Sequence, residues 1–266
     1  MSLRERVAGV DFSGARDAGR HIWIAEGYWT AKGLQIDSIR KAMDLPGGSP
    51  NLTPALSALV AHILTLSDTV AGFDFPFSIP QKLIFDKTWL GFLSEFFTNH
   101  PSADTFRKFC QDLTNGREVK RETDIKSRAP WCVYNLRLYR QTWAGISSVL
   151  APLILGGHAR AIPMQKPENG LPILAEVCPA SFLKKRNLYS SYKGNGKVSE
   201  KARSKIVSTL TSRCELADLR PSLRRIMVQD NCGDAIDSVI AAIAASAISN
   251  PSPVDVLNRI EGRVYF

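Results

Sequence analysis

The sequence predicts an α/β fold: a mixed sheet, three antiparallel strands followed by parallel strands, flanked by helices. Three observations carry this. The first forty residues form short apolar runs separated by turn residues, the mark of a meander. Beyond them helix-like and strand-like segments take turns, as crossovers between parallel strands require. The chain has 266 residues, 44% hydrophobic and 22% charged, enough to bury one large core. With no internal repeat or linker tract, a single domain over 1–266 is expected.

In chain order, residues 6–12 read as a strand that ends at Asp11 before the turn pair Ser13-Gly14. A second strand is expected over 21–29, where Ile22, Ile24 and Tyr28 alternate, and a short third around Leu34 and Ile36. Leu56, Leu59, Val60, Ile63 and Leu64 recur at helical spacing over 55–66, with Thr53 as N-cap and Pro54 in the first helical position. Residues 69–73 form a buried strand ending at Asp74, and Pro76 and Pro80 forbid its continuation.

From about 81 to 165, aromatics such as Trp89, Phe92 and Phe96 predict a mostly helical insertion. Its stretch 117–128 alternates in charge and reads as a self-paired surface. Strand character resumes over Ile173–Val177, with Glu176 near its end. A surface helix follows over 197–214. A final helix over 234–249 begins after Cys232-Gly233 and is stopped by Asn250-Pro251.

Several classes are excluded by composition. The longest uncharged apolar stretches, 147–157 and 238–250, are too short to span a membrane, so no membrane partner is expected. No hydrophobic leader segment precedes Asp11. Five cysteines (110, 132, 178, 214 and 232) are odd in number and lack any Cys-x-x-Cys pair, which suits a reduced, cytoplasmic protein. Four scattered histidines predict no histidine metal centre. The net charge of +9 suits a polyanionic partner.

The candidate chemistry lies in the carboxylates. Asp11 and Asp74 end two apolar strands in matching frames, Ala8-Gly9-Val10-Asp11-Phe12 and Ala71-Gly72-Phe73-Asp74-Phe75. Ligand sites of open sheets form beyond such strand ends, so the two can meet. Asp234 and Asp237, three apart, share one face of the final helix and are its only charged side chains. An unpaired buried carboxylate costs several kcal/mol, roughly, so Asp237 needs solvent, a base or a metal. Ala241, Ala244 and Ala245 on that side allow a close approach to the sheet. The plain alternatives are an N-cap role for Asp234, turn roles for Asp11 and Asp74, and a solvated position for Asp237. An oxygen-rich cluster suits Mg2+ or Mn2+, and two such ions about 4 Å apart hydrolyse phosphodiesters in enzymes of this chemistry. Glu176 either adds a ligand or lies just outside.

The order of elements, with a first-strand Asp, a fourth-strand acid and a terminal Asp-x-x-Asp helix, resembles the ribonuclease H-like fold, including its Holliday-junction resolvases. More closely, Val10-Asp11-Phe12-Ser13-Gly14, Gly72-Phe73-Asp74-Phe75-Pro76, Ala175-Glu176-Val177-Cys178-Pro179-Ala180 and Gly233-Asp234-Ala235-Ile236-Asp237-Ser238 resemble a family of predicted ribonuclease H-like nucleases of unknown biological function. Glu261-Gly262-Arg263-Val264-Tyr265 is similar to that family's closing strand. The resemblance implies a two-metal nuclease with Asp11, Asp74 and Asp237 as ligands and Asp234 or Glu176 completing the set.

Positive charge concentrates over 184–205, with eight Lys/Arg and one acid. There Lys184, Lys185, Arg186, Lys193 and Lys197 suit nucleic-acid phosphates, and Tyr192 suits base stacking. The alternative for this stretch is a solvated loop and helix face. Competing functions are an ATPase or phosphotransferase of the actin-like branch, and a non-catalytic nucleic-acid-binding module.

Overall fold

Alternating residues of the central strand are small or apolar on both faces, the pattern of a strand covered on each side. In the computed structural model, which describes residues 6–86, 88–249 and 254–266, this strand is β1 (Arg6–Asp11). Antiparallel to it runs β2 (Trp23–Thr30), and β3 (Gly33–Lys41) extends the meander. On its other side β4 (Val70–Phe73) pairs in parallel. β5 (Arg160–Ile162), β6 (Ile173–Val177) and β7 (Val264–Tyr265) are also parallel members. The sheet order is β3-β2-β1-β4-β6-β5, and β7 pairs the end of β6 beyond the reach of β5.

The helices are α1 (Leu52–Ile63), α2 (Trp89–Asn99), α3 (Ala103–Leu113), α4 (Glu122–Lys126), α5 (Tyr139–Gly145), α6 (Ala151–Leu155), α7 (Pro179–Lys185), α8 (Lys197–Ser212), α9 (Pro221–Gln229), α10 (Asp234–Ala245) and α11 (Val256–Glu261). A π-helical turn, Ile146–Leu150, joins α5 to α6. Among the described residues no helix is long and apolar enough to cross a membrane.

The α/β class and the sequence of antiparallel then parallel strands agree with expectation. Some details differ. α1 starts at Leu52 with Asn51 as N-cap, so Thr53 is not the cap. Pro54 is tolerated there because N–H groups of the first turn have no helical partner anyway. β3 is nine residues long because antiparallel pairing with β2 extends it beyond its two apolar residues. β5, a strand of three residues, lies inside the stretch expected to be helical. The Asn250-Pro251 stop and residues 1–5 lie outside the described residues.

Period two divides the sheet into two faces. Ala8, Val10, Ala71, Phe73 and Leu174 meet one core, built with α1 and the helices between β4 and β5. Val7, Val70, Ile173, Ala175 and Val177 meet the other, where α10 lies. α10 crosses very close to the strands: a Cβ on Gly9 would stand 2.0 Å from the Ser238 carbonyl oxygen, and one on Gly72 2.5 Å from that of Ala241. The small residues of both partners set this distance. It carries the first turn of α10 to the C-terminal ends of β1 and β4.

Candidate functional site

Asp11 and Asp74 each stand one residue past the register pair Val10–Phe73, so both point to the α10 face. The main-chain N–H of Asp74 donates to the Val10 carbonyl at 3.0 Å, which fixes the two strand ends side by side. Asp234 and Asp237 come down on them from the first turn of α10. Asp234 does not cap this helix: Gly233 is the N-cap, with φ +77°, and Asp230 accepts from the Ala235 N–H at 2.9 Å. The turn after β1 is held by Ser13, whose Oγ accepts from the Ala15 N–H. Asp11 and Asp237 are buried, at 7% and 2% exposure.

Burial raises all four carboxyls. Asp11 is pushed well up by burial; Lys193 lowers it, while Asp237, Asp234 and Asp74 add to the rise. Asp74 is pushed up to about 7 by burial and by the nearby Asp237, against the pull of Lys193. Asp234 and Asp237 are raised by burial, with Lys193 the main opposing charge.

Lys193 is the cation of the site. Its Nζ lies 2.7 Å from Asp237 Oδ2 and 3.6 Å from Asp234 Oδ1. Burial would lower its pKa, but Asp237, Asp11 and Asp234 together raise it, so it stays charged. Tyr192 O–H donates to Asp237, at 2.8 Å from Oδ1 and 3.1 Å from Oδ2. At the rim, His21 Nδ1 lies 3.9 Å from Asp234 Oδ2. Single ligand atoms of His21, Cys232 and Asp234 fall within 4.8 Å of one another, a grouping the sequence did not predict because His21 is distant in the chain from the Cys232–Asp234 segment.

Glu176 does not join the cluster. It is in register with Phe73, so it points to the opposite face of the sheet, where buried Arg121 receives it. The guanidinium places all five N–H groups: on both oxygens of Glu176, on both oxygens of Asp124 and on the Glu261 carbonyl. The Phe77 N–H donates to Glu176 Oε2 at 2.9 Å. Arg121 therefore departs from the expected charged surface, of which only the exposed Glu122–Lys126 pair is an example.

The basic stretch is largely tied down within the protein. Tyr192 is buried beneath the carboxylates and presents no free face for stacking. Lys193 belongs to the site itself. Lys184 Nζ donates to the Arg128 carbonyl, Lys185 Nζ to that of Phe266, and Arg186 Nε to Glu215 at 2.6 Å. Arg203 is buried. Lys197, Lys201 and Lys205 remain exposed on α8.

A cleft of about 650 Å³ opens beside the cluster, with Asp74, Tyr192, Lys193 and Asp237 on one side and Trp131 and Arg137 of the helical segment on another. A smaller hollow of about 400 Å³ reaches Asp11, His21 and Asp234. Asp74, Gln141 and Lys193 border both. Gln141 Nε2 donates to the Asp74 carbonyl, so the helical segment also steadies the strand end.

Chemically, the site gathers four carboxyl groups around Lys193 beside an open hollow; among the described residues the one three-ligand grouping within 4.8 Å is His21, Cys232 and Asp234. Among the described residues no hydrogen-bond donor sits on the carboxylates of Asp11 or Asp74. Carboxylate oxygens raised by burial and by each other are the kind of donor that a hard cation takes. Compared with protein-family models, curated proteins and solved structures, the chain matches none of them.

Proposed function

We propose that the chain is a metal-dependent nuclease of ribonuclease H-like fold that hydrolyses phosphodiester bonds of nucleic acid. The observation that carries this reading is the convergence of Asp11, Asp74, Asp234 and Asp237 at the ends of two adjacent parallel strands, with an open cleft beside them. The fold assignment is supported by the strand order, in which the second strand alone of the central four runs antiparallel to its neighbours.

Bound among these carboxylates, Mg2+ or Mn2+ would activate a water and stabilise charge on the leaving oxygen. Asp11, buried, and Asp74, half-buried, are the ligands best placed to hold it, since among the described residues no donor sits on either carboxylate. Asp234, at the rim with His21, can face a bound water or the ion. The larger cleft suits a nucleotide: Trp131 offers a partly exposed ring with Arg137 stacked 4.9 Å from its centre. An aromatic face takes a base and a guanidinium takes a phosphate. The exposed lysines of α8 extend the positive field outward.

The test is direct. Purified protein with Mn2+ or Mg2+ is expected to cleave DNA or RNA, and Asp11→Asn to lose at least about 100-fold in rate while remaining folded. Failure to cleave linear, branched, single-stranded and hybrid substrates with either ion would overturn the reading.

A further inference from the structure

We infer that Lys193 is the resident second cation of the carboxylate site, so that the site takes up one divalent ion, held by Asp11 and Asp74, rather than two. This rests on the metal-dependent reading above and specifies its charge plan.

Two halves of the cluster differ in what already occupies them. Asp237 has both oxygens engaged, by the Tyr192 hydroxyl and by the Lys193 ammonium. Asp234 faces the same ammonium at 3.6 Å. Lys193 Nζ lies 2.7 Å from Asp237 Oδ2, so a divalent ion on Asp237 would have to share that oxygen with it, and like charges that close repel. The Asp11 and Asp74 carboxylates also feel the Lys193 charge, but they carry no hydrogen-bond donor among the described residues and border the hollow, Asp11 at only 7% exposure.

Lys193 is also held in place by dedicated contacts. Arg203, 1% exposed, donates from Nη1 to the carbonyls of Tyr192 at 2.6 Å and Gly194 at 3.2 Å, the residues on either side of Lys193. Its Nε donates to the Val228 carbonyl and its Nη2 to Asn231 Oδ1. The Gly194 N–H donates to the Asn231 carbonyl at 2.7 Å. Gly233 leaves room on the other side, since a Cβ there would stand 3.1 Å from the Tyr192 ring and 3.2 Å from Lys193 Cγ. A buried arginine spent on the main chain around one lysine fixes the stem from which that half-exposed side chain reaches Asp237.

Charge counting agrees. Four ionised carboxylates, one ammonium and one divalent ion leave a single negative charge, whereas a second ion would leave the site positive before any phosphate arrives. The lysine thus supplies part of the neutralisation that two ions would otherwise share.

The experiment is calorimetric titration of Mn2+ into the full chain at pH 8, for wild type, Lys193→Met, Lys193→Gln and Lys193→Arg. Wild type and Lys193→Arg are expected to bind about one ion, and Lys193→Met and Lys193→Gln about two. Melting curves give a second readout independent of cleavage. Without metal the two uncharged variants are expected to melt lower than wild type, and Mn2+ is expected to raise them more. Two ions in wild type, or one in both uncharged variants, would overturn the inference and leave the nuclease reading standing. No ion in any of the four would remove both.

Discussion

One edge of the sheet, where β1, β4 and β6 end, carries two carboxylate assemblies on opposite faces, and they are built in opposite ways. On one face Glu176, Asp124 and Glu261 surround Arg121, and the polar groups find partners: Glu261 accepts from the main-chain N–H groups of Gln81 and Glu122, both at 2.8 Å. On the other, four carboxylates share one lysine and one tyrosine hydroxyl. Burial raises Glu176 as well, but Arg121 pulls it back, and the ion pair links β6, α4 and the C-terminal segment. The first assembly is satisfied by its own hydrogen bonds, even where Arg121, Asp124 and Glu176 line the larger cleft. The second is under-satisfied, which is the state a binding site needs and a structural ion pair avoids.

The sharpest way to break this comparison is Arg121→Met. Two buried carboxylates would lose their partner, and stability is expected to fall by about 3–5 kcal/mol in urea unfolding. A loss near zero would mean that the network does not brace the fold.

Glu26 provides a smaller control, because it is also buried and paired, with His62 Nε2 at 2.6 Å and with Arg40. Burial alone would raise it, but His62 and Arg40 outweigh that and hold it at about 2, below its usual 4.5. A depressed carboxyl stabilises above its unfolded pKa, and this stability drains away as pH falls from about 4.5 to 2. Glu26→Gln is therefore expected to cost about 2 kcal/mol at pH 7 and little at pH 2. Equal losses at both pH values would exclude the ion pair as the cause.

For the under-satisfied cluster the sign reverses. Asp74, raised to about 7, binds its proton more tightly when folded, so its destabilising contribution grows as pH rises from about 4 to 7 and is full above that. Asp74→Asn is expected to stabilise the metal-free protein at pH 8 by about 1–2 kcal/mol and to flatten that part of the pH profile. It is also expected to abolish the Mn2+-induced rise in melting temperature. A variant less stable than wild type at pH 8 would show that Asp74 is structural.

The smallest stability effect belongs to the exposed lysines. Replacing Lys197, Lys201 and Lys205 together by Ala is expected to change stability by about 0.5 kcal/mol or less. Binding to single-stranded DNA is expected to weaken and to lose salt dependence. Unchanged binding would shift the positive track elsewhere, with Arg137 the next candidate.

Much of this was legible before any coordinates. Asp11 and Asp74 could be found because each ends an apolar run in the same frame, and Asp237 because a carboxylate in an otherwise apolar helix demands a reason. The apolar run Ile173–Val177 and the Pro179 after it mark the bounds of β6. Apart from the shifted N-cap of α1, the differences depend on partners distant in sequence. β5 has only three residues and is a strand through its pairing with β6. Arg121 sits in a stretch of alternating charge and gives no local hint that it is buried. Lys193 and Tyr192 look like a basic, aromatic loop beside Gly194-Asn195-Gly196, and nothing nearby in sequence says that they face Asp237.

By itself the sequence determined the α/β class, the two strand-end aspartates and the helix that brings two more, because periodicity and local breaks are written residue by residue. Only the tertiary structure decided which carboxylates meet. A one-residue difference in register sends Glu176 to the far side of the sheet while Asp11 and Asp74 face α10, since neighbouring positions on a strand point to opposite faces. The close crossing of α10 over Gly9 and Gly72, and the loop fixed by Arg203, then bring Asp237 and Lys193 together. Those contacts join segments far apart in the chain, and no local pattern can encode them.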